Sequence, residues 1–310
     1  MKPKLAFPIP TTPEFDPGEL PENITKHLDL QYGCDSREQV LDLYLPREGT
    51  GKSPLILYIH EGAFAFGSKR DKRAETLFEA LERGYAIASI DYRKSGEATW
   101  PAPLYDIKTA VRFLRAHADT YSLDESRFAA WGMSAGAYYG SLAAVTHGIP
   151  GFEDPRTGYG AFSSGLQAVV DLCGACSGFH LLDEMIRENG GTNPTHDREN
   201  SPESILMGNP LQEIRELCRL AAPITYVNGN VPPFFIFHCV SDPVVPVQQS
   251  ENFAAALKKA AGEEKVKLVL GQGRGDHGKP DYNTREIVRE ALDFLDQVFS
   301  LHEETEALPA

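Results

Sequence analysis

The sequence alternates short apolar runs with helical segments over most of its 310 residues, and this alternation limits the possible fold more than any other feature. Eight segments have the composition of β-strands: residues 24–32, 39–45, 54–60, 85–92, 127–131, 166–172, 233–240 and 265–270. Several are apolar throughout, which is typical of strands buried on both faces of a parallel sheet. Helical patterns separate many of them, at residues 71–83, 104–121, 135–145, 248–261 and 284–301. This order predicts an α/β fold with a mostly parallel sheet flanked by helices.

Two long stretches, residues 147–164 and 177–222, interrupt the alternation, and loops of that length are usually functional. We therefore expect cap segments there, within a single domain that spans residues 23–310. Residues 1–22 contain six prolines and predict an extended N-terminal arm. The arm is compatible with covering a sheet edge, with contacting a second subunit and with disorder.

Composition and charge exclude several classes of function. The chain has 44 acidic and 30 basic residues, and its net charge of −14 opposes binding to nucleic acid and to anionic membrane surfaces. No apolar run approaches the roughly 20 residues of a membrane span, and early prolines argue against a signal peptide. Five cysteines are too few and odd in number for a disulfide framework, which favours a reducing, cytoplasmic location. A homo-oligomer is compatible with the sequence.

A candidate nucleophile, Ser134, lies in the sequence Gly-Met-Ser-Ala-Gly at residues 132–136, which fits the G-x-S-x-G pattern. The pattern follows one predicted strand and opens a predicted helix, the setting in which such a turn exposes its serine hydroxyl. The flanking glycines let strand and helix approach closely, and the helix N-terminus favours developing negative charge. We therefore predict that Ser134 is catalytic.

A serine hydroxyl needs a base to remove its proton. Of the nine histidines, His277 is the best candidate, because it lies in a glycine-rich loop just after the last predicted strand. His238 lies within an apolar strand, where a hydrogen-bonded core residue is expected instead.

The base in turn needs an acid to orient it. Asp242 is the candidate, because it follows the strand at 233–240, at the carboxyl edge where α/β sites form. Asp171 and Asp276 are alternatives. The order of the three candidates along the chain is that of α/β-hydrolases: Ser134, Asp242, His277.

Acyl transfer also requires two backbone N–H donors for the oxyanion of the tetrahedral intermediate. We expect one donor from Ala135, the residue after the nucleophile. The other is expected from Glu61 or Gly62, in the loop after the strand at 54–60.

Three side chains near the candidate nucleophile are expected to line a substrate pocket: Phe64, Met133 and Tyr138. For Tyr138, simple packing of the helix is the alternative. Cys173 and Cys176 form a C-x-x-C pattern, but the sequence offers no second cysteine pair to complete a zinc site. We expect a structural role for them and no metal.

Taken together, these motifs resemble those of α/β-hydrolases in the esterase/lipase group, nearest the hormone-sensitive-lipase-like and BD-FAE (feruloyl-esterase-like) families. Residues 60–71 (HEGAFAFGSKRD) are similar to the HGGG or HGGxW oxyanion loop of these families. Residues 90–136 carry a series similar to their DYR, WPA and G-x-S-x-G motifs, and residues 232–257 and 273–278 resemble the acid and histidine blocks. The resemblance implies an α/β-hydrolase fold and hydrolysis of a small-molecule carboxylic ester through an acyl-enzyme, without a cofactor.

The sequence departs from the family pattern at three positions. Glu61 replaces a glycine of the oxyanion loop, Cys239 replaces the glycine usual after His238, and Met133 replaces a commonly acidic residue. The last two are expected to be packing variants. Glu61 has two interpretations: its side chain turns outward to a donor such as Arg70, or its carboxylate disfavours anionic substrates.

The function predicted from the sequence is that of a serine carboxylesterase for small or short-chain acyl esters, acetylated or feruloylated sugars among them. Two alternatives remain at this point. One is an amidase or formamidase of the same fold. The other is a catalytically impaired hydrolase that acts as a binding protein, which Glu61 alone favours.

Overall fold

A central sheet of eight strands organises the chain, in a computed structural model that describes residues 5–46, 51–154, 156, 158–272, 277 and 282–306. The strands are β1 (Thr25–Gln31), β2 (Val40–Leu45), β3 (Ser53–Ile59), β4 (Ala86–Ile90), β5 (Leu123–Met133), β6 (Ala168–Leu172), β7 (Phe234–Cys239) and β8 (Val266–Gly271). Their order across the sheet is β1-β2-β4-β3-β5-β6-β7-β8. The first two pairings are antiparallel and the other five are parallel, which confirms the predicted mostly parallel sheet.

Helices cover both faces of this sheet. They are α1 (Glu79–Glu82), α2 (Ala102–Ala116), α3 (Ala135–Val145), α4 (Leu182–Glu188), α5 (Pro202–Met207), α6 (Arg215–Leu220), α7 (Gln248–Ala261) and α8 (Arg285–Glu306). Apolar residues of α2, α3 and α7 pack on one face, and those of α1 and α8 pack on the other. Among the described helices, none is both long and apolar enough to cross a membrane.

The central strands are buried on both sides because their sequences are apolar throughout. Every residue of β4 and of β7 is buried. His238 in β7 is a hydrogen-bonded core residue, as expected: its Nδ1 lies 2.6 Å from Ser250 Oγ and its Nε2 lies 2.8 Å from the Val245 carbonyl oxygen.

The helix predicted at residues 71–83 is instead a 3₁₀ segment, Lys72–Phe78, followed by the short α1. At its start the Ala74 amide donates to the Asp71 carbonyl three residues back, and the Asp71 carboxylate accepts from the Arg73 amide. These tight bonds fix the 3₁₀ form in the first turn.

The two segments that interrupt the alternation pack in different places. Residues 147–164 are tied to α2, where Glu153 pairs with Lys108 at 2.7 Å and with Arg112 at 2.8 Å. Residues 177–222 contain α4, α5 and α6 and pack against α3, where Phe179 contacts Tyr138.

The described part of the proline-rich arm, residues 5–22, lies along the loop that follows β3. The Phe15 amide donates to the Arg70 carbonyl, and the Lys72 amide donates to the Pro13 carbonyl, both at 2.9 Å. Nearer the N-terminus, the Ala6 amide donates to Asn200 of the 177–222 segment. The arm therefore connects the loop after β3 with that segment.

Candidate active site

Ser134 occupies a tight turn between β5 and α3, with φ 53° and ψ −118°. A positive φ is strained for a residue that carries a Cβ, and such strain is common at functional sites. The turn needs its glycines: a Cβ at Gly136 would lie 1.9 Å from the Ile59 carbonyl oxygen, and one at Gly132 would lie 2.3 Å from the Gly136 carbonyl carbon. The sequence thus places Ser134 where the carboxyl end of β5 meets the N-terminus of α3.

His277 bridges the predicted nucleophile and the predicted acid. Its Nε2 lies 2.8 Å from Ser134 Oγ, and its Nδ1 lies 2.8 Å from Asp242 Oδ2. Because an ionised carboxylate can only accept, the Nδ1 proton is donated to Asp242. Nε2 is then free to accept a proton from the serine hydroxyl.

Asp242 is fixed by four donors. Its Oδ1 accepts from the amides of Val244 and Val245, at 2.8 and 2.9 Å, and its Oδ2 accepts from His277 and from the Tyr282 hydroxyl, the latter at 2.5 Å. Burial alone would raise the pKa of the Asp242 carboxyl, but His277 and Tyr282 outweigh it and the pKa is lowered. Asp242 therefore stays ionised beside the imidazole.

The alternative acids do not occupy this position. Asp171 Oδ2 accepts from Ser141 Oγ of α3 at 2.6 Å and contacts Cys176 Sγ at 3.2 Å, and its Oδ1 accepts from the Gly174 amide. Asp171 thus stabilises the packing of β6 against α3. Asp276, the other alternative, lies outside the described residues.

A cavity of about 190 Å³ opens beside Ser134 and His277. Its other lining residues are Glu61, Gly62, Ala63, Phe64, Phe66, Arg73, Met133, Ala135, Ala175, Glu203, Val244 and Val245. The arm also reaches it, since the ring of Phe7 packs edge-on against Phe66 with centroids 6.4 Å apart. The described residues of the 147–164 segment do not line this cavity, whereas the 177–222 segment contributes Glu203.

Of the three predicted pocket residues, Phe64 and Met133 line the cavity and Tyr138 does not. The prediction for Tyr138 is corrected: its side chain is buried beneath Phe64, and its hydroxyl donates to the Ala221 carbonyl at 2.9 Å. Tyr138 follows Ser134 by one helical turn but packs against the 177–222 segment, so it supports the cavity wall from behind.

The loop after β3 turns sharply where it meets the cavity. Gly62, Ala63 and Phe64 all have positive φ, at 124°, 47° and 62°, and the Gly62 carbonyl accepts from the amides of Ala65 and Phe66. Glu61 and Gly62 line the same cavity as Ser134, and so does Ala135 in the first turn of α3. The oxyanion contacts expected from these three amides stay a prediction.

The outward position expected for Glu61, with Arg70 as its partner, is wrong. Glu61 is only 3% exposed, and its carboxylate pairs with Arg73. Arg70 is already engaged by Asp42 at 2.7 Å and by Asp29 at 3.0 Å on the other side of the loop. Burial raises the pKa of the Glu61 carboxyl to about 8, although Arg73 opposes the shift.

Cys173 lies next to the imidazole, with its Sγ 3.8 Å from His277 Nδ1. Burial raises the pKa of this thiol well above its ordinary value, so it remains protonated and unreactive. In the described part of the chain, Cys173, Asp242 and His277 are the one group of metal-ligand type, with atoms within 4.8 Å of one another. A metal there would have to break the hydrogen bond between His277 and Asp242.

Several residues around the site carry no sequence signal of their role. Tyr282 contacts Asp242, Arg73 contacts Glu61, and Glu203 lines the cavity. All three lie outside the family-like motifs at residues 60–71, 90–136, 232–257 and 273–278. Cys173 was part of the C-x-x-C pattern, but its neighbour His277 is 104 residues away in sequence.

Comparisons with known proteins identify consistent relatives. The BD-FAE family model matches residues 41–257. Esterase LipQ of Mycobacterium tuberculosis is 31% identical over 238 residues, which are 75% of this chain and 52% of LipQ. LipM of the same organism, a probable carboxylic ester hydrolase, is 30% identical over 78% of this chain and 54% of its own length. The chain thus spans about half the length of these curated relatives.

Solved structures agree with this result. A truncated carbohydrate esterase from gut microbiota is 28% identical with a TM-score of 0.76, and the match covers 88% of this chain and 96% of that one. A bifunctional GH43-CE chain of Bacteroides eggerthii is 30% identical with the same TM-score, over 88% of this chain and 35% of that one. Esterase 2 of Thermogutta terrifontis, 22% identical with a TM-score of 0.66 over 89% of this chain and 93% of its own, shares the fold.

Proposed function

The chain belongs to the BD-FAE family, and we propose that it is a serine carboxylesterase acting on small or short-chain acyl esters. Family membership confirms the resemblance expected from the motifs. The observation that carries the proposal is the continuous hydrogen-bonded series from Ser134 Oγ through His277 to Asp242 Oδ2, with both distances at 2.8 Å. The names of the relatives LipQ and LipM, an esterase and a probable carboxylic ester hydrolase, support the same reaction class.

In the proposed acylation step, Ser134 Oγ attacks the ester carbonyl while His277 Nε2 accepts the hydroxyl proton. The new imidazolium is stabilised by the ionised Asp242. The carbonyl oxygen becomes an oxyanion, for which we propose the amides of Ala135 and of Glu61 or Gly62 as donors. Developing negative charge is also favoured by the N-terminus of α3, where Ser134 lies.

The intermediate then collapses and the bond to the alcohol breaks. His277 returns its proton to the departing alcohol oxygen, which leaves the acyl group on Ser134. Water enters the vacated space, loses a proton to His277 and attacks the acyl carbonyl. The bond between Ser134 Oγ and the acyl carbon then breaks and His277 returns that proton to Oγ, which releases the carboxylic acid and restores the serine hydroxyl.

The size of the cavity supports a short acyl group. Its volume of about 190 Å³ is below the roughly 300–1,000 Å³ of sites that hold drug-sized ligands. An acetyl group fits such a space better than a feruloyl group. The similarity to a carbohydrate esterase from gut microbiota supports esters of sugars as a substrate class.

A panel of p-nitrophenyl acetate, butyrate and octanoate tests the proposal with three proteins. We expect the wild type to hydrolyse the acetate fastest and Ser134→Ala to lose activity by at least about 10⁴-fold. Ser126→Ala removes an exposed serine of β5 and serves as the matched control, with wild-type rates expected.

Equal rates for the wild type and Ser134→Ala would refute the serine mechanism. If the wild type hydrolyses no ester but Ser134 reacts with a fluorophosphonate probe, the amidase or formamidase alternative gains support. A Ser134 that is inert to the probe would favour the binding protein. A preference that rises with acyl length would refute the short acyl pocket.

A further inference from the structure

The wall of the cavity contributed by the 177–222 segment carries a buried carboxylate, Glu203, that the proposed chemistry does not use. Glu203 lines the cavity together with Val244 and His277, and it is 7% exposed. In the described part of the chain, no donor hydrogen-bonds its Oε2, which is fully buried. A buried carboxylate oxygen without a donor is costly, and such groups are retained mainly where a ligand or ordered water supplies the donor.

His196 maintains the charge on Glu203. Its Nδ1 lies 3.1 Å from Glu203 Oε1, and its Nε2 lies 3.0 Å from the Val244 carbonyl oxygen. The Val244 carbonyl can only accept, so Nε2 carries a proton. The Glu203 carboxylate beside Nδ1 favours a second proton there, and hence a cationic imidazole. The pKa of His196 is raised to about 9: burial opposes the charged form, and Glu203 more than compensates.

Local structure holds Glu203 in place. It occupies the first turn of α5, which Ser201 caps by accepting from the Ser204 amide at 3.0 Å. At the other end of this helix the Leu206 carbonyl accepts from the Trp100 amide at 2.9 Å. A carboxylate on a short helix anchored at both ends is well suited to orienting a substrate.

The proposed chemistry brings the alcohol side of the ester into the part of the cavity that His277 lines. His277 delivers its proton to the departing alcohol, so that group must lie against the imidazole. Glu203 lines the same cavity as His277. It contacts His196, which contacts the carbonyl of Val244, and the Val244 amide donates to Asp242.

We propose that Glu203 determines substrate specificity by accepting a hydrogen bond from a free hydroxyl group on the alcohol moiety, so that the chain prefers partly acylated polyhydric alcohols. The inference rests on the esterase function proposed above. In this arrangement the alcohol moiety makes a polar contact with Glu203, and the acyl group contacts the apolar wall of the cavity.

The test compares glyceryl 1-acetate with propyl acetate, which has the same carbon chain but no free hydroxyl. In the wild type we expect kcat/KM to favour the glyceryl ester by roughly tenfold to a hundredfold, the range for a hydrogen bond to a charged acceptor. In Glu203→Gln, which keeps the shape and weakens the acceptor, this ratio should fall by about tenfold. Glu184→Gln is the matched control. Glu184 is an exposed residue of α4 in the same segment and does not line the cavity, so the ratio should stay at the wild-type value.

Each outcome bears on the inference. Equal kcat/KM for the two esters in the wild type overturns it and leaves the proposed esterase intact. So does a parallel loss on both esters in Glu203→Gln with the ratio unchanged, which would make Glu203 a structural residue. If Glu203→Gln lowers kcat/KM for acetylcholine and leaves kcat/KM for the two neutral esters unchanged, Glu203 belongs to a site for cations, which would also overturn the inference. Hydrolysis of neither ester by the wild type would refute the proposed function together with this inference.

Discussion

Substitution of Gly136 by alanine should disable the site without touching a reacting group. The added Cβ would lie 1.9 Å from the Ile59 carbonyl oxygen, whereas Cβ contacts below 3.0 Å are essentially never found. Strand β3 and helix α3 must therefore separate by about 1.1 Å to reach that limit. Both partners are backbone, so no side chain can move aside.

This displacement moves Ser134 and the Ala135 amide away from His277 and the loop after β3. A misplacement of about 1 Å costs roughly a hundredfold in rate, so kcat/KM for p-nitrophenyl acetate should fall by about that factor in Gly136→Ala. The free energy of unfolding should fall by about 1–3 kcal/mol, as in other overpacked cores. Steady-state kinetics and urea unfolding measure the two quantities.

Gly140→Ala, one turn further along α3, is the matched control. Its Cβ would lie 3.1 Å from Ala130 Cβ, which requires a shift of only a few tenths of an ångström, and 3.6 Å from Ile59 Cδ1, which is an ordinary contact. Alanine also has a higher helix propensity than glycine, by about 1 kcal/mol. We expect near wild-type kinetics and stability. If Gly136→Ala matches Gly140→Ala in rate, the steric account of the turn is wrong.

Three further predictions follow from buried groups. Tyr282→Phe removes a hydrogen bond that stabilises ionised Asp242, so at pH 7 the variant should have a lower free energy of unfolding than the wild type. This difference should shrink as the pH falls below 3.8, and a difference in urea unfolding that stays constant with pH would contradict this. The pKa of Glu61 is raised to about 8, so the stability of the wild type should decline relative to that of Glu61→Gln as the pH rises from 4.5 through 8. A difference in melting temperature between the two proteins that stays constant over this pH range would refute that shift. Tyr138→Phe should keep the acyl-length preference and lose about 1 kcal/mol of stability with its bond to Ala221, whereas a changed preference in the p-nitrophenyl panel would restore it to the pocket.

The sheet and the turn at Ser134 could be predicted because their causes are local. Continuous apolar runs mark strands buried on both faces, and all residues of β4 and β7 are indeed buried. The glycines at 132 and 136 are required by backbone contacts within one strand–turn–helix unit. The relative placement of His277 and Asp242 followed from strand order, since both come after strands at the same edge of the sheet.

Contacts made by side chains were less predictable, because they depend on tertiary packing. Arg70 and Arg73 are three residues apart. Arg70 forms an ion pair with the Asp42 carboxylate in β2, and Arg73 forms the ion pair with Glu61. For Tyr138, helix α3 is buried on every side, so periodicity could not show which of its residues line the cavity. Glu203 and His196 pair within an irregular segment that has no repeat to reveal them.

The link from His196 to the Val244 carbonyl restricts how this site can diverge during evolution. Val244 also donates to Asp242, so the residue that pairs with Glu203 braces the loop of the proposed acid. Substitutions that change the contact proposed for Glu203 would therefore alter turnover at the same time. The side chain of Phe64, which also lines the cavity, is held by ring packing against Tyr138, Tyr139 and Phe179. New acyl preferences should arise there with fewer compensating changes.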